Sequence, residues 1–324
     1  MSGPLDAAGS ALGEAIFAAF GPGAEVTFSA KLPGGASRET WALDVAVEGV
    51  KHELILRLDT PGANLDAGGS LAAEARLMRA AAEAGVPVPR IVASAQPYIL
   101  MERVGGETIP RRILRDDAYA QARPLLAGQC GEALAAVHRM PLESVDGVRE
   151  DPLLQWRDVL DLTEQPHPVF ELAFRRLEAT RPDSARTTVV HGDFRNGNLI
   201  VGPEGIRAVL DWELTHLGDP IEDLGWLCVK AWRFGAAPPV GGFGGYDDLV
   251  EAYEKASGHP VDRGALRWWE TFGVLKWGII CVMQTLRHLR GGARSVELAA
   301  IGRRVCETEW DLLELLSAPS SASP

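Results

Sequence analysis

The chain has 324 residues, 46% hydrophobic and 23% charged, which is long enough for two lobes and rules out disordered or collagen-like classes. Acidic residues outnumber basic ones 44 to 32, giving a net charge of −12. That sign argues against general nucleic-acid binding, which rests on cationic phosphate contacts, but not against one phosphate compound held in a local pocket.

The first hundred residues read as a sheet with one helix. Residues 11–20 suit a short leading helix. Residues 25–32 and 39–47 alternate apolar and polar side chains, as half-buried strands do. Glu48-Gly49 supplies a turn into a strand over 52–58, where Leu54, Leu56 and Leu58 share one face and Ile55 and Arg57 the other. An Ala-rich helix spans 71–84 and is stopped by Gly85, Pro87 and Pro89. In it Leu71, Glu74, Met78 and Ala81 fall on one face, so Glu74 sits among apolar residues and needs a cationic partner. Arg57 is the candidate. Residues 91–93 and 98–101 are two further strands.

Beyond Met101 the pattern turns helical. A long helix is expected over 118–139, with Leu125, Leu134 and Val137 in the core, and another over 170–179. Residues 188–212 form a strand, a loop and a hairpin. The Gly/Pro-rich stretch 235–245 reads as a flexible loop. Asp219 and Pro220 have the chemistry of a helix N-cap and first turn. Trp268, Trp269, Trp277 and Phe272 form an aromatic helical run, either core or the wall of a substrate site. Arg287, His288, Arg290, Arg294, Arg303 and Arg304 make the late helices basic, and the tail from about 317 is expected to be disordered. Cys130, Cys228, Cys281 and Cys306 form no CxxC motif and suit thiols of a reducing compartment. The N-terminal apolar run lacks a preceding basic residue, and the apolar run at 272–283 is short and broken by Lys276. A cytoplasmic protein without a membrane partner is therefore expected.

The chemistry concentrates in VVHGDFRNGNLIVGPEGIRAVLDWE, residues 189–213. A hairpin over 198–210 puts Asn198 and Asp211 at the same end of its ladder, an amide and a carboxylate oxygen of the kind that hard magnesium accepts. Asp193, five residues earlier, faces the same space.

His191-Gly192-Asp193, Asn198 and Asp211-Trp212-Glu213 together resemble the catalytic segment of the protein-kinase-like superfamily, H-R-D-x-x-x-x-N followed by D-F-G. HGD and DWE in those places are similar to the aminoglycoside phosphotransferase family. The resemblance runs from about Val26 to Trp310. It implies an α+β, two-lobed kinase-like fold: an N-terminal nucleotide-binding lobe over 1–102, with a small antiparallel sheet and one helix, and a larger, mostly helical catalytic and substrate-binding lobe over 103–324. It implies Asp193 as the base for an acceptor hydroxyl, and Asn198 and Asp211 as ligands of magnesium on ATP. His191 then organises the loop. Glu213 is left open between a place near the metal and a place in water. Gly34, Gly35 and Ser37, between two strands, match the phosphate-covering loop. Arg57 stands where kinases carry a strand lysine, paired with Glu74, and backbone groups from Glu102 to Val104 match the adenine-holding hinge.

The phrases GGASRETW, PYILMERVGGET and WWETFGVLKWGIICVMQ narrow the resemblance to kinase domains associated with acyl-CoA dehydrogenases. That subgroup implies a hydroxyacyl-CoA or hydroxy acid as acceptor. An aminoglycoside or choline-like alcohol is the alternative, and a catalytically silent nucleotide-binding regulator a second. A protein substrate is disfavoured, because only a short stretch separates Asp211 from the helix start at Asp219.

Overall fold

The computed structural model describes residues 8–32, 38–59, 70–148, 150–183, 186–292 and 295–317. Gly34, Gly35 and Ser37, Arg294 and the tail after 317 lie outside the described residues.

Helix α1 (Ala8–Phe20) precedes strands β1 (Glu25–Lys31), β2 (Arg38–Val47) and β3 (Val50–Asp59); α2 (Leu71–Glu83) follows, then β4 (Ile91–Ala95) and β5 (Tyr98–Glu102). The strands form one antiparallel sheet in the order β1-β2-β3-β5-β4. Strand alternation sorts the two faces. Leu54, Leu56, Leu58, Tyr98 and Leu100 bury against Ala15 and Ile16 of α1, whereas Ile55, Ile99 and Met101 turn to α2. Arg57 pairs in register with Ile99 and shares the α2 side. Strand β1 is an exposed edge, not the half-buried strand its alternation suggests. Helix α2 starts at Ser70, whose hydroxyl accepts from the Ala73 N–H at 3.2 Å.

The second part begins with α3 (Pro110–Arg115) and α4 (Arg123–Val137), then α5 (Pro152–Asp161) and α6 (Pro168–Ala179). The expected helix over 118–139 is shorter. A 3₁₀ turn at Asp117–Tyr119 precedes it, and Pro124 in the first turn opens α4 afresh. That start sets the register, so Leu126 is fully buried and Leu125 faces solvent, a correction to its expected core role. Strands β6 (Thr188–Val190), β7 (Leu199–Gly202), β8 (Gly205–Val209) and β9 (His216–Gly218) make two small ladders, β6 with β9 and β7 with β8. Helices α7 (Ile221–Cys228), α8 (Tyr246–Ser257), α9 (Arg263–Leu289), α10 (Val296–Gly302) and α11 (Val305–Ser317) complete the chain. Asp219 Oδ1 accepts from the Ile221 N–H at 2.9 Å at the start of α7.

One buried cluster runs from α2 and β5 through α4 to β7, β8 and α8, so the sheet-bearing and helical parts share a core. A second gathers Trp226, Trp232, Trp268, Trp269 and Phe272 among α5, α6, α7, α9 and α11. Glycines permit the closest crossing of α7 and α9: a Cβ on Gly225 would stand 2.6 Å from the Trp269 backbone. The 235–245 stretch is not loose along its length. Val240 and Phe243 are buried, Val240 bridges Gly244, and Gly241 O accepts from Asn196 Nδ2 at 2.7 Å. Among the described residues, no helix is long and apolar enough to cross a membrane.

Candidate active site

The loop from β6 to β7 is held from behind by Asp223 of α7. Its carboxylate accepts from the His191 N–H at 2.8 Å and the Gly192 N–H at 2.9 Å. His138 Nε2 lies 3.1 Å from the same carboxylate, and the Tyr253 hydroxyl lies 2.9 Å from the other nitrogen of that ring. Burial favours the protonated acid, but the His138 ring hydrogen bond and the His191 backbone N–H hold Asp223 below the usual carboxylate value. Helices α4, α7 and α8 thus converge on two peptide groups of the loop.

His191 is fully buried, and burial pushes its pKa down. A neutral ring suits its partners: Nδ1 accepts from the Asp193 N–H at 3.2 Å, and Nε2–H donates to Leu210 O at 3.1 Å. His191 therefore ties the Asp193 loop to the segment leading into Asp211. Gly192 adopts φ +80°, and a Cβ there would press on Leu214 O. Both features call for glycine, which explains why HGD stands where protein kinases have HRD.

The Asp193 carboxylate is fixed on three sides. Arg195 Nε donates to Oδ1 at 3.0 Å, Trp226 Nε1 to Oδ1 at 2.8 Å, and Asn198 Nδ2 to Oδ2 at 2.6 Å. The Arg195 guanidinium lies over the Trp232 ring at 4.6 Å, which limits its own freedom. Asn198 starts the β7–β8 hairpin, where its carbonyl accepts from the Leu210 N–H at 2.8 Å. Asp211 follows Leu210 with φ +67°, a left-handed conformation uncommon for a non-glycine residue. The hairpin thus brings Asn198 and Asp211 to one end, as the spacing predicts.

Above them lies an ion cluster. Glu74 is 2% exposed and pairs with Arg57 through Oε1 and with Arg38 Nη1 through Oε2, the latter at 2.7 Å. Arg38 also reaches Asp59 Oδ1 at 3.1 Å and Glu213 Oε2 at 3.3 Å. It links the sheet-bearing part to the DWE segment, a role that sequence reading misses because it depends on the Arg38↔Asp59 register. Glu213, the residue left open above, meets Arg38. Burial and the Asp211 charge push its pKa up, against the pull of Arg38 and Arg57.

Glu102 and Val104 lie where β5 leaves the sheet. The Glu102 N–H donates to Arg90 O at 2.9 Å and its side chain pairs with Arg90, so both groups have partners within the sheet-bearing part. The segment then crosses to the hairpin: Glu107 and Val201 exchange backbone hydrogen bonds of 2.9 and 3.0 Å. Gly106 allows this approach, since a Cβ there would lie 2.8 Å from Val201 O. The aromatic run of α9 is mainly core, with Trp268 Nε1 donating to Leu177 O at 2.9 Å, while Trp269 also walls a cleft of about 320 Å³ beside the catalytic loop. Arg304 pairs with Glu307 rather than facing that cleft.

Asn198 and Asp211 fit magnesium, which keeps most of its sites for water and phosphate and is commonly held by only one or two protein oxygens. The Asn198 amide nitrogen is turned to Asp193, which directs its carbonyl oxygen away from that carboxylate.

The chain is similar to known proteins. The model of the APH phosphotransferase enzyme family matches residues 30–269. Acyl-CoA dehydrogenase family member 10 of Mus musculus is 31% identical over 231 residues, 64% of this chain, and the chain spans only 21% of that relative's length. A Ralstonia eutropha protein solved under the provisional name aminoglycoside phosphotransferase superposes with a TM-score of 0.75 at 22% identity, covering 94% of this chain and 98% of its own. The ternary complex of streptomycin, ATP and APH(2'')-IIa gives a TM-score of 0.60 at 16% identity, covering 87% of this chain and 91% of that one. The fold is the two-lobed kinase-like one. With three-quarters of its length matched by the family model, the chain belongs to the phosphotransferase enzyme family.

Proposed function

We propose that this phosphotransferase moves the γ-phosphate of ATP to the hydroxyl of a small molecule, of hydroxy-acid or hydroxyacyl-CoA type. The observation that carries the reading is the threefold-held Asp193 carboxylate beside the hairpin end bearing Asn198 and Asp211. A carboxylate fixed in this way orients an acceptor hydroxyl and takes its proton as the oxygen attacks phosphorus. Arg57, set by Glu74, reaches the nucleotide phosphates from above, and the Gly34, Gly35 and Ser37 loop covers them. Backbone groups between Glu102 and Val104 border the adenine, and the lobe boundary falls after Glu102. Asn198 and Asp211 would hold magnesium, which would supply neutralisation of charge on the phosphate oxygens. The ATP named in a neighbour's complex supports the nucleotide, and the acyl-CoA dehydrogenase relative supports the acceptor class.

The test is magnesium-dependent ADP release over a panel of hydroxyacyl-CoA thioesters, hydroxy acids, sugars, choline-like alcohols and aminoglycosides. One class should stimulate release, and Asp193→Asn should lower the stimulated rate about 10²–10⁴-fold. Unchanged stimulation in that variant removes Asp193 from the base role.

A further inference from the structure

The cleft beside the catalytic loop has a floor whose charge is unusual for an acidic protein. Lys276, in the middle of α9, is 6% exposed, yet its ammonium lines the cleft. Among the described residues its polar contacts are long: Gly192 O at 3.3 Å and Glu222 Oε1 at 3.5 Å. An ammonium has three N–H donors, and its strong bonds to oxygen run near 2.8 Å. The rest of its surroundings is aromatic, with Trp226 at 4.7 Å and Trp156 at 5.8 Å. A buried ammonium so placed has donor capacity for one more oxygen from the cleft.

A second cation lies beside Lys276. His216 Nδ1 lies 2.9 Å from Leu214 O and Nε2 3.2 Å from Glu222 Oε2. Both partners only accept, so both ring nitrogens carry protons and the ring is cationic. Glu222 is shared between His216 and Lys276, so at this point of the lining two cations meet one carboxylate. Three further acids line the cleft: Asp219, whose carboxylate accepts from the Ile221 N–H at 2.9 Å, Asp146, which pairs with Arg76 at 2.8 Å, and Glu150, which is exposed. Trp226 joins this floor to the reaction centre, with its indole N–H on Asp193 and its ring face against Lys276.

Resting on the function proposed above, we propose that this cleft binds the acceptor, and that Lys276 holds an acyl oxygen of it, carboxylate or thioester carbonyl. Trp156 and Trp269 cover the carbon chain, and the hydroxyl is directed past Trp226 to Asp193. An amino-cationic acceptor would place its charge against Lys276 and His216.

The test compares acceptors of one carbon chain that differ at its acyl end: a hydroxy acid, its coenzyme A thioester, and the diol, of which the acid and diol isolate the acyl oxygen. In the native chain the acid or the thioester should exceed the diol in kcat/KM by about ten- to a hundredfold, the range of a charge-assisted hydrogen bond. In Lys276→Met that ratio should fall to within about threefold, whatever happens to the absolute rate. Trp156→Ala keeps the question open to measurement if Lys276→Met does not fold: it should raise the KM of acid and diol alike and preserve their ratio. The two carbonyl arms distinguish a free acid from a thioester. A ratio unchanged in Lys276→Met, a diol as good as the acid in the native chain, or stimulation by aminoglycosides or choline-like amines alone overturns this inference and leaves the phosphotransferase reading intact. No stimulation by any acceptor, with no ATP binding, overturns the proposed function itself.

Discussion

Replacing Glu74 by glutamine keeps the side-chain shape and removes one charge from between two guanidinium groups. Glu74 is buried and receives Arg57 and Arg38 on separate oxygens. Hydrogen bonds to charged groups contribute about 1.5–3 kcal/mol each, and removing one partner of a buried ion pair costs about 3–5 kcal/mol. Arg38 retains Asp59 at 3.1 Å and Glu213 at 3.3 Å, so most of the loss falls on Arg57. We therefore take the lower end, about 3 kcal/mol, a large fraction of the ~5–15 kcal/mol that holds a typical domain. Urea unfolding should show this as a lower midpoint at unchanged slope. Equilibrium binding of Mg-ATP should weaken about tenfold or more, since Arg57 loses the anchor that aims it, a change of about 1.4 kcal/mol. A variant within about 1 kcal/mol of the native chain in stability, with unaltered nucleotide affinity, refutes the reasoning.

The remaining predictions concern the loop's supports. Gly225→Ala puts a methyl 2.6 Å from the Trp269 backbone and should push α7 from α9, costing about 1–3 kcal/mol and displacing Trp226 from Asp193; a lower melting temperature with reduced kcat is the expected result. His216 is raised to about 9 by Glu222, against the effect of burial. Its folded-state pKa exceeds the unfolded value near 6.5, so its stabilisation is complete below about pH 6.5 and disappears as pH rises through about 9. Melting temperature measured between pH 6 and 10 should therefore fall on the alkaline side, and His216→Gln should flatten that fall.

The parts of the site legible in the sequence are those whose geometry is local. The spacing of His191, Asp193, Asn198 and Asp211 fits a loop and a hairpin, and a hairpin brings its two ends together without further information. Arg57 and Glu74 are legible because strand alternation and helical periodicity each assign a face, and the two faces meet across one layer. Arg38, Trp226 and Lys276 are not, because each reaches the site through packing between elements distant in sequence. Leu125 is misplaced for a related reason: periodicity fixes a face only once the helix start is known, and Pro124 resets it. The 235–245 stretch misleads because glycine reports backbone freedom in the unfolded chain, whereas here it lets the chain pack closely around Val240 and Phe243.

The missing side chain at Gly192 bears on how such a catalyst can be governed. In protein kinases the arginine at the corresponding place answers to a phosphate added on a mobile segment, so activity can be withheld until another enzyme writes that mark. Here the backbone conformation and Leu214 O leave no room for any such side chain, and Asp223 already grips the neighbouring peptides. The loop is thus built in its working shape. A covalent signal read through an arginine at that place of the catalytic loop is therefore closed to this chain.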